Sequence, residues 1–228
     1  MRTMTNTIAM FSARVVIALA LLSPSTSAGA QAQAAPHLVQ ALNNKIVAAR
    51  NNSPVRIDGR LDERVWYAIR PSNHFVQRDP LMGAAATLAT DVRMLLSDDA
   101  VIFGVRLHDD FASVVRPRAS DSVSASFVDD YFEIQVDPHP EHVSAFVFTV
   151  SPSGGRSASV IGQDGTRDTS WDLKWDAATR VDEKGWTLEV RIPLAEFHIK
   201  PGSEKWGVQF IRFSQRKGET DVFTFGTP

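Results

Sequence analysis

The chain has 228 residues, a formal net charge of −2 and no cysteine. The absence of cysteine excludes a thiol nucleophile and a disulfide framework. The lysines and arginines form no basic run or stripe, which argues against nucleic acid as a partner.

Residues 1–32 have the pattern of a secretory signal peptide. Arg2 and Arg14 give a positive start, and a short apolar core follows at 15–22. A-x-A patterns then stand at 28–30 and 30–32, as a signal peptidase requires. A membrane anchor is the alternative, but a spanning helix needs about 20 apolar residues and this core is much shorter. We expect export, a mature chain that starts near Gln31 or Gln33, and a periplasmic or outer-membrane-associated location.

The rest of the chain divides into a lead-in and one domain. Residues 33–53 are small and polar with weak periodicity, which predicts a linker or a loosely docked lead-in. From residue 54 to residue 228, short runs alternate apolar and polar residues between turn signals, as strands do. The predicted strands are 54–57, 74–77, 91–96, 101–108, 131–136, 145–150, 156–161, 174–181, 186–192, 206–213 and 221–225.

The pattern within these strands predicts how they pack. In 186–192 the apolar residues fall on one face, and Thr187, Glu189 and Arg191 fall on a second face that we expect to be wet. Residues 145–150 are apolar on both faces, which predicts a central strand. Helix is predicted only at 62–68 and 193–197. Consecutive hairpins therefore predict an all-β fold, an antiparallel, jelly-roll-like β-sandwich with very little helix.

Four phrases carry a resemblance to a known family. They are IDGRLDERVW at 57–66, FVDDYFEIQVD at 127–137, GWTLEVRIP at 185–193 and WGVQF at 206–210. In this order and spacing they resemble family 9 carbohydrate-binding modules.

A finer resemblance concerns the kind of protein in which the module occurs. The QRDP phrase at 77–80, together with Trp171 and Trp175, resembles exported proteins in which this module precedes a large uncharacterised C-terminal region, expected to be an outer-membrane barrel. On this resemblance the chain is a truncated form of such a protein, or the module acts alone.

The resemblance implies a β-sandwich that binds the reducing ends of glycans. In such modules an aromatic ring stacks on the sugar and a glutamate accepts hydrogen bonds from its hydroxyls, and the matching positions are Phe127 and Glu133. Trp171 flanks a polar segment before a strand and is a third candidate for the binding groove. The chain departs from the family in two ways: Phe127 stands where tryptophan is favoured, and the following strand has Val147 and Thr149 where sugar-binding members place longer polar groups.

Calcium is the metal that the resemblance implies. Aspartates cluster near predicted strand ends and supply the hard oxygen ligands that calcium prefers, and we expect Asp129, Asp130 and Asp137 as ligands. An ordinary solvated acidic rim is the alternative. His139 and His142 offer a zinc or copper site, for which a proline-containing turn is the alternative.

The remaining sequence features bear on catalysis and on the core. No G-x-S-x-G, H-E-x-x-H, phosphate-binding or dinucleotide motif is present, although paired carboxylates for glycoside hydrolysis are visible only in three dimensions. We expect Trp66, Trp186 and Trp206 to pack in the core.

The sequence is compatible with three alternative functions. The first is a non-catalytic carbohydrate-binding module of the cell envelope, with a role in carbohydrate catabolism and a glycan or an outer-membrane barrel as partner. The second is a periplasmic accessory domain of an outer-membrane protein that binds no sugar. The third is a haem-binding sandwich subunit that uses Met82 or Met94.

Overall fold

The computed structural model describes residues 44–109, 130–138, 144–199 and 205–223, and within them the chain forms two β-sheets. The five-stranded sheet has the order β1 (Ala49–Arg50), β3 (Thr90–Leu96), β4 (Ala100–His108), β10 (Gly185–Pro193) and β9 (Asp176–Asp182). The seven-stranded sheet has the order β2 (Val76–Asp79), β12 (Glu219–Val222), β11 (Gly207–Ser214), β5 (Tyr131–Asp137), β6 (Ala145–Val150), β7 (Arg156–Ile161) and β8 (Arg167–Asp168). The predicted all-β sandwich is confirmed.

The core lies between the two sheets. Alternate side chains of each strand point inward, and Phe103 of β4 meets Phe210 of β11 edge-to-face, with ring centroids 5.8 Å apart. Phe210 also stacks on Phe132 of β5 at 6.1 Å. Fully burying such a ring contributes roughly 1.5–3 kcal/mol, so contacts between the two layers supply much of the stability that the chain must find without disulfides.

Most predicted strands are present. β6 and β7 have the predicted bounds, β6 is an interior strand as expected, and most other strands begin or end within two residues of the prediction. Residues 54–57 are an exception, because they form no strand; Val55 and Ile57 instead pack beside the buried ring of Trp66. The short strands β1 and β8 were not predicted, since two residues give no readable alternation.

The lead-in is docked from Asn44 onward. Its strand β1 pairs in parallel with β3, whereas the other strand pairs in the described residues are antiparallel. The Asn44 side-chain amide donates to the carbonyls of His74 and Phe223, which joins the start of the described chain to its last described residue.

Helix is confined to two short segments of the described chain, α1 (Arg64–Ala68) and a 3-10 turn at Leu194–Phe197. Both lie within the two predicted helical stretches. Among the described residues, neither segment approaches the length and apolar character that a membrane-crossing helix requires.

The prediction that the outward face of β10 is wet is wrong for two of its three residues. Glu189 is 0% exposed and Thr187 is 8% exposed, because residues 58–66 lie over this part of the sheet. Trp66 covers β4 at Gly104, where an added Cβ would lie 3.0 Å from the indole ring. A side chain at position 104 would therefore displace Trp66.

Glu189 is the acceptor that holds this covering segment. One carboxylate oxygen accepts from the backbone N–H of Asp58 at 3.0 Å and of Gly59 at 2.9 Å, and the other accepts from the Trp66 indole N–H at 3.0 Å. Gly59 has φ 80°, and a Cβ there would come within 2.6 Å of the Thr179 backbone. We refer to Glu189 and its three donors as the Glu189 clamp.

The tryptophans predicted to be core residues are placed as follows. Trp66 is 2% exposed and Trp186 is 1% exposed, which confirms both. Trp206 is half-buried and packs its ring edge-to-face against Phe197 at 5.3 Å, so it closes the margin of the core.

Replacing Glu189 tests the clamp through the pH dependence of stability. Burial raises the pKa of Glu189 from 4.5 to about 7, against the lowering effect of its N–H donors. The folded state therefore holds a proton that the unfolded state releases, so the free energy of unfolding falls as pH rises from about 4.5 to about 7, by up to about 3 kcal/mol. We expect Glu189→Gln to remove this fall, measured by urea unfolding at a series of pH values.

Glu183→Gln, in the exposed turn after β9, is the matched control and should keep the wild-type pH dependence. Asp221, whose pKa burial raises to about 8, adds a fall of the same sign to every variant. The difference between Glu189→Gln and the control therefore isolates Glu189. Parallel curves for the two variants would contradict the assignment.

Candidate functional site

The candidate site lies on the outward face of the seven-stranded sheet, where β5 and β6 run side by side. Strand alternation sends Phe132, Ile134 and Val136 into the core and therefore turns Glu133 and Gln135 to the opposite face. The antiparallel register places Thr149 of β6 directly opposite Glu133. The site is thus built by the same alternation that builds the core.

The Glu133 carboxylate is held by three side chains. Its Oε1 accepts from Gln135 Nε2 at 2.6 Å, and its Oε2 accepts from Thr149 Oγ1 at 3.2 Å. Arg167 of β8 reaches across the face and donates from Nη2 to both oxygens, at 3.0 and 3.1 Å. We call Glu133, Gln135, Thr149 and Arg167 the Glu133 array.

Burial differs sharply between the two charged members of the array. The Glu133 side chain is 4% exposed, whereas the Arg167 side chain is 43% exposed. Both bonds from Arg167 to Glu133 start at Nη2, so its Nε and Nη1 donors have no hydrogen-bond partner among the described residues. The array therefore presents guanidinium donors outward, over a carboxylate whose orientation is fixed from below.

Sequence reasoning found one charged member of the array and missed the other. Glu133 came from the family phrase, and Gln135 could have been found from its position two residues along the same strand face. Thr149 was read as a departure from the family, but it donates to Glu133. No sequence signal pointed to Arg167, which lies 34 residues from Glu133 in a two-residue strand.

The other predicted sugar contacts are placed differently. Trp171 is 44% exposed, donates its indole N–H to Asp168 at 3.2 Å, and packs its ring against Phe146 at 6.2 Å. Phe146 belongs to the core, so this contact places Trp171 at the margin of the sandwich. Phe127 lies outside the described residues.

The predicted calcium ligands do not form a common site in the described chain. Asp130 and Asp137 lie at opposite ends of β5, roughly 20 Å apart at the rise of an extended strand. Burial raises the pKa of Asp130, its Oδ1 accepts from the Gln215 backbone N–H at 2.8 Å, and the Arg212 and Arg216 charges act on it. These two aspartates do not fit a shared calcium site.

The structure describes only some of the other residues predicted to bind a metal or a cofactor. Among the described residues no group of three or more histidine, aspartate or glutamate side chains is arranged to hold a metal. Asp129, His139 and His142 lie outside those residues. Of the two alternative haem ligands, Met94 is buried in the core and Met82 is 64% exposed.

Comparison with known proteins gives the family. A match to the family described as "Carbohydrate family 9 binding domain-like" covers residues 57–225. The chain belongs to this family. The predicted family 9 resemblance is therefore confirmed, and it carries carbohydrate binding as the property for which the family is named.

Solved structures show the same fold as this family 9 domain. A family 9 carbohydrate-binding module from Caldicellulosiruptor kristjanssonii in complex with cellotriose is 18% identical, with a TM-score of 0.54, over 78% of this chain and 83% of that one. A module of the same family and organism in complex with glucose is 16% identical, with a TM-score of 0.53, over 78% and 84%. A Bacteroides uniformis protein provisionally described as carbohydrate-binding is 15% identical, with a TM-score of 0.56, over 77% and 86%. None of the curated proteins compared with the chain matches it.

A double-mutant cycle tests the contact between the two charged members of the array. Arg167→Leu leaves a buried carboxylate with two neutral donors, so we expect a loss of stability. Because Arg167 is about half exposed, the coupling energy with Glu133→Gln should be modest, about 1 kcal/mol. Urea unfolding of the wild type, both single variants and the double variant measures it.

Arg78→Leu, on β2 of the same sheet, is the control, because its guanidinium pairs with Asp79 and not with Glu133. Its effect should add to that of Glu133→Gln without coupling. A coupling energy for Arg167 no larger than that of this control would contradict the contact.

Proposed function

We propose that this family 9 domain is a non-catalytic glycan-binding module whose binding surface is the face that carries the Glu133 array. The observation that carries the proposal is the pair of a rigid carboxylate and a half-exposed guanidinium on one sheet face. Family membership supports carbohydrate as the ligand class.

The chemistry of the array suits sugar hydroxyls. A hydroxyl can donate to a carboxylate and accept from a guanidinium, and a fixed pair of these groups selects hydroxyls by direction. Because Gln135 and Thr149 orient Glu133 in advance, little side-chain freedom is lost on binding. We propose Phe127 as the ring that stacks on the bound sugar, and Trp171 as a contact for a longer glycan at the sheet margin.

The cellular setting is also a proposal. The signal-like residues 1–32 support export to the periplasm or outer membrane, where a glycan-binding module would serve carbohydrate catabolism and act beside an outer-membrane barrel. We propose calcium only as a structural ion with Asp129 among its ligands. Asp130 and Asp137 lie too far apart to bind the same ion.

Titration calorimetry with cellotriose and glucose tests glycan binding, because those sugars are bound by the structural neighbours. We expect the wild type to bind an oligosaccharide, and Glu133→Gln to weaken its affinity at least tenfold by removing one acceptor charge. Arg167→Gln should act in the same direction.

The control is Glu183→Gln, the same chemical change in an exposed turn, which should leave affinity unchanged. Thermal unfolding of each variant separates lost binding from lost structure. Absence of binding heat with a panel of plant and bacterial oligosaccharides, with and without calcium, would contradict the proposal.

A second function is favoured by one specific observation. Glu133 is 3% exposed, and its hydrogen bonds come from the protein's own side chains, as in a purely structural network. An accessory domain of an outer-membrane protein without sugar affinity would have this property. Under that function, Glu133→Gln lowers stability while no glycan binds the wild type.

Export is tested by the N-terminus of the mature protein. We expect the chain expressed from residue 1 in a Gram-negative host to lose its first 30 or 32 residues, since the A-x-A patterns end there. N-terminal sequencing of the protein released from the periplasm measures this. A chain with Ala28→Lys and Ala30→Lys should no longer be cleaved after residue 30 or residue 32, and cleavage of the unchanged chain elsewhere would contradict the assignment.

A further inference from the structure

The outward face of the five-stranded sheet carries a groove that is separate from the Glu133 array. Its floor is one row of side chains across four strands: the register pairs Asp91 with Arg106, Arg106 with Thr187, and Thr187 with Arg180. These residues line a cavity of about 460 Å³, a volume typical of small-ligand sites. The two sheets place this groove and the array on opposite sides of the sandwich.

The segment held by the Glu189 clamp forms the wall of the groove. Trp66 and Leu61 cover Gly104 in the neighbouring row of the sheet, and the same segment then lines the groove with Arg60 and Tyr67. The covered row of Gly104 and Glu189 thus adjoins the row that forms the floor of the groove. The groove is a built feature, because its wall is anchored by the buried hydrogen bonds of Glu189.

The groove is locally cationic, although the chain has a net charge of −2. Its lining includes four arginines and three aspartates. Arg106 donates from both Nη atoms to both oxygens of Asp182, each at 2.6 Å, so that this pair is neutral. Arg60 and Arg180 are exposed, and neither guanidinium has a hydrogen bond or ion pair within the part of the chain that the structure describes.

An exposed aromatic ring lines the same groove as these guanidinium groups. Tyr67 is 76% exposed, although α1 buries its neighbours Val65 and Trp66. A ring offers a flat surface to the C–H face of a sugar, and a guanidinium offers two parallel donors to a carboxylate. A ligand that satisfies both features carries pyranose rings and carboxylates together.

We propose that this groove is a second glycan site, which takes acidic oligosaccharides built from uronic acids. Tyr67 stacks on a sugar ring, and Arg60 and Arg180 pair with its carboxylates. Asp91 lies in the same floor row, where Asn73 and His108 hold its carboxylate, and it accepts hydrogen bonds from the sugar hydroxyls. The groove uses residues of the other sheet, so the proposal does not depend on glycan binding at the Glu133 array.

Calorimetry with trigalacturonate, and with cellotriose as the neutral ligand of the same length, tests the proposal. We expect the wild type to bind trigalacturonate, and Arg180→Gln and Arg60→Gln each to weaken its affinity about tenfold. Tyr67→Ala should weaken it by a similar factor. Affinity should fall as the salt concentration rises about tenfold, from roughly 50 mM to roughly 500 mM, because exposed charges are screened.

Arg50→Gln is the matched control, since it removes one exposed positive charge from strand β1 outside the groove and should leave trigalacturonate affinity unchanged. All the changed side chains are exposed, so thermal unfolding should match that of the wild type. Any binding of cellotriose reports on the Glu133 array, so the groove variants should bind this sugar as the wild type does. If the array does not bind cellotriose, the wild type and the groove variants should both fail to bind it.

Three results would overturn the proposal. The first is no binding of trigalacturonate to the wild type at millimolar concentration. The second is equal affinity in the wild type, Tyr67→Ala and Arg180→Gln. The third is loss of trigalacturonate binding in Glu133→Gln without loss in Arg180→Gln, which would assign the acidic glycan to the opposite sheet.

Discussion

A carboxylate that is removed from water must find its donors within the protein, and Glu189 finds them in the segment that crosses its sheet. The hydrogen bonds to Asp58, Gly59 and Trp66 fix where that segment lies. The position of Trp66 then decides which row of the five-stranded sheet is covered and which row is open. The Glu189 clamp therefore shapes the outer surface of one sheet, as well as attaching a strand-free segment to it.

The same physical rule applies to an outward-facing glutamate in each sheet. Glu133 on β5 and Glu189 on β10 are both buried, and both accept hydrogen bonds from other elements of the chain. They differ in the nature of the donors. Glu189 is held mainly by backbone groups of a covering segment, while Glu133 is held by side chains and leaves a guanidinium exposed. The first arrangement closes a surface, and the second leaves groups that a ligand can contact.

Much of the fold could be predicted from the sequence because alternation depends only on neighbouring residues. Strands β6 and β7 have the predicted bounds, and Trp66 and Trp186 are in the core. Contacts over long sequence separations could not be predicted in this way. Arg167 approaches Glu133 from a two-residue strand, and Glu189 was expected to be wet because no local pattern shows that residues 58–66 return over β10. Glu133 was found through a family phrase, not through its surroundings.

The side-chain hydrogen bonds of Asn44 bear on how this domain can be connected to other polypeptide segments. Asn44 donates a hydrogen bond to the carbonyl of Phe223, so the first and the last described residues lie next to each other. Two points of a chain that meet in this way can be joined to the two sides of a loop in another protein, so the described domain is suited to insertion into a host fold.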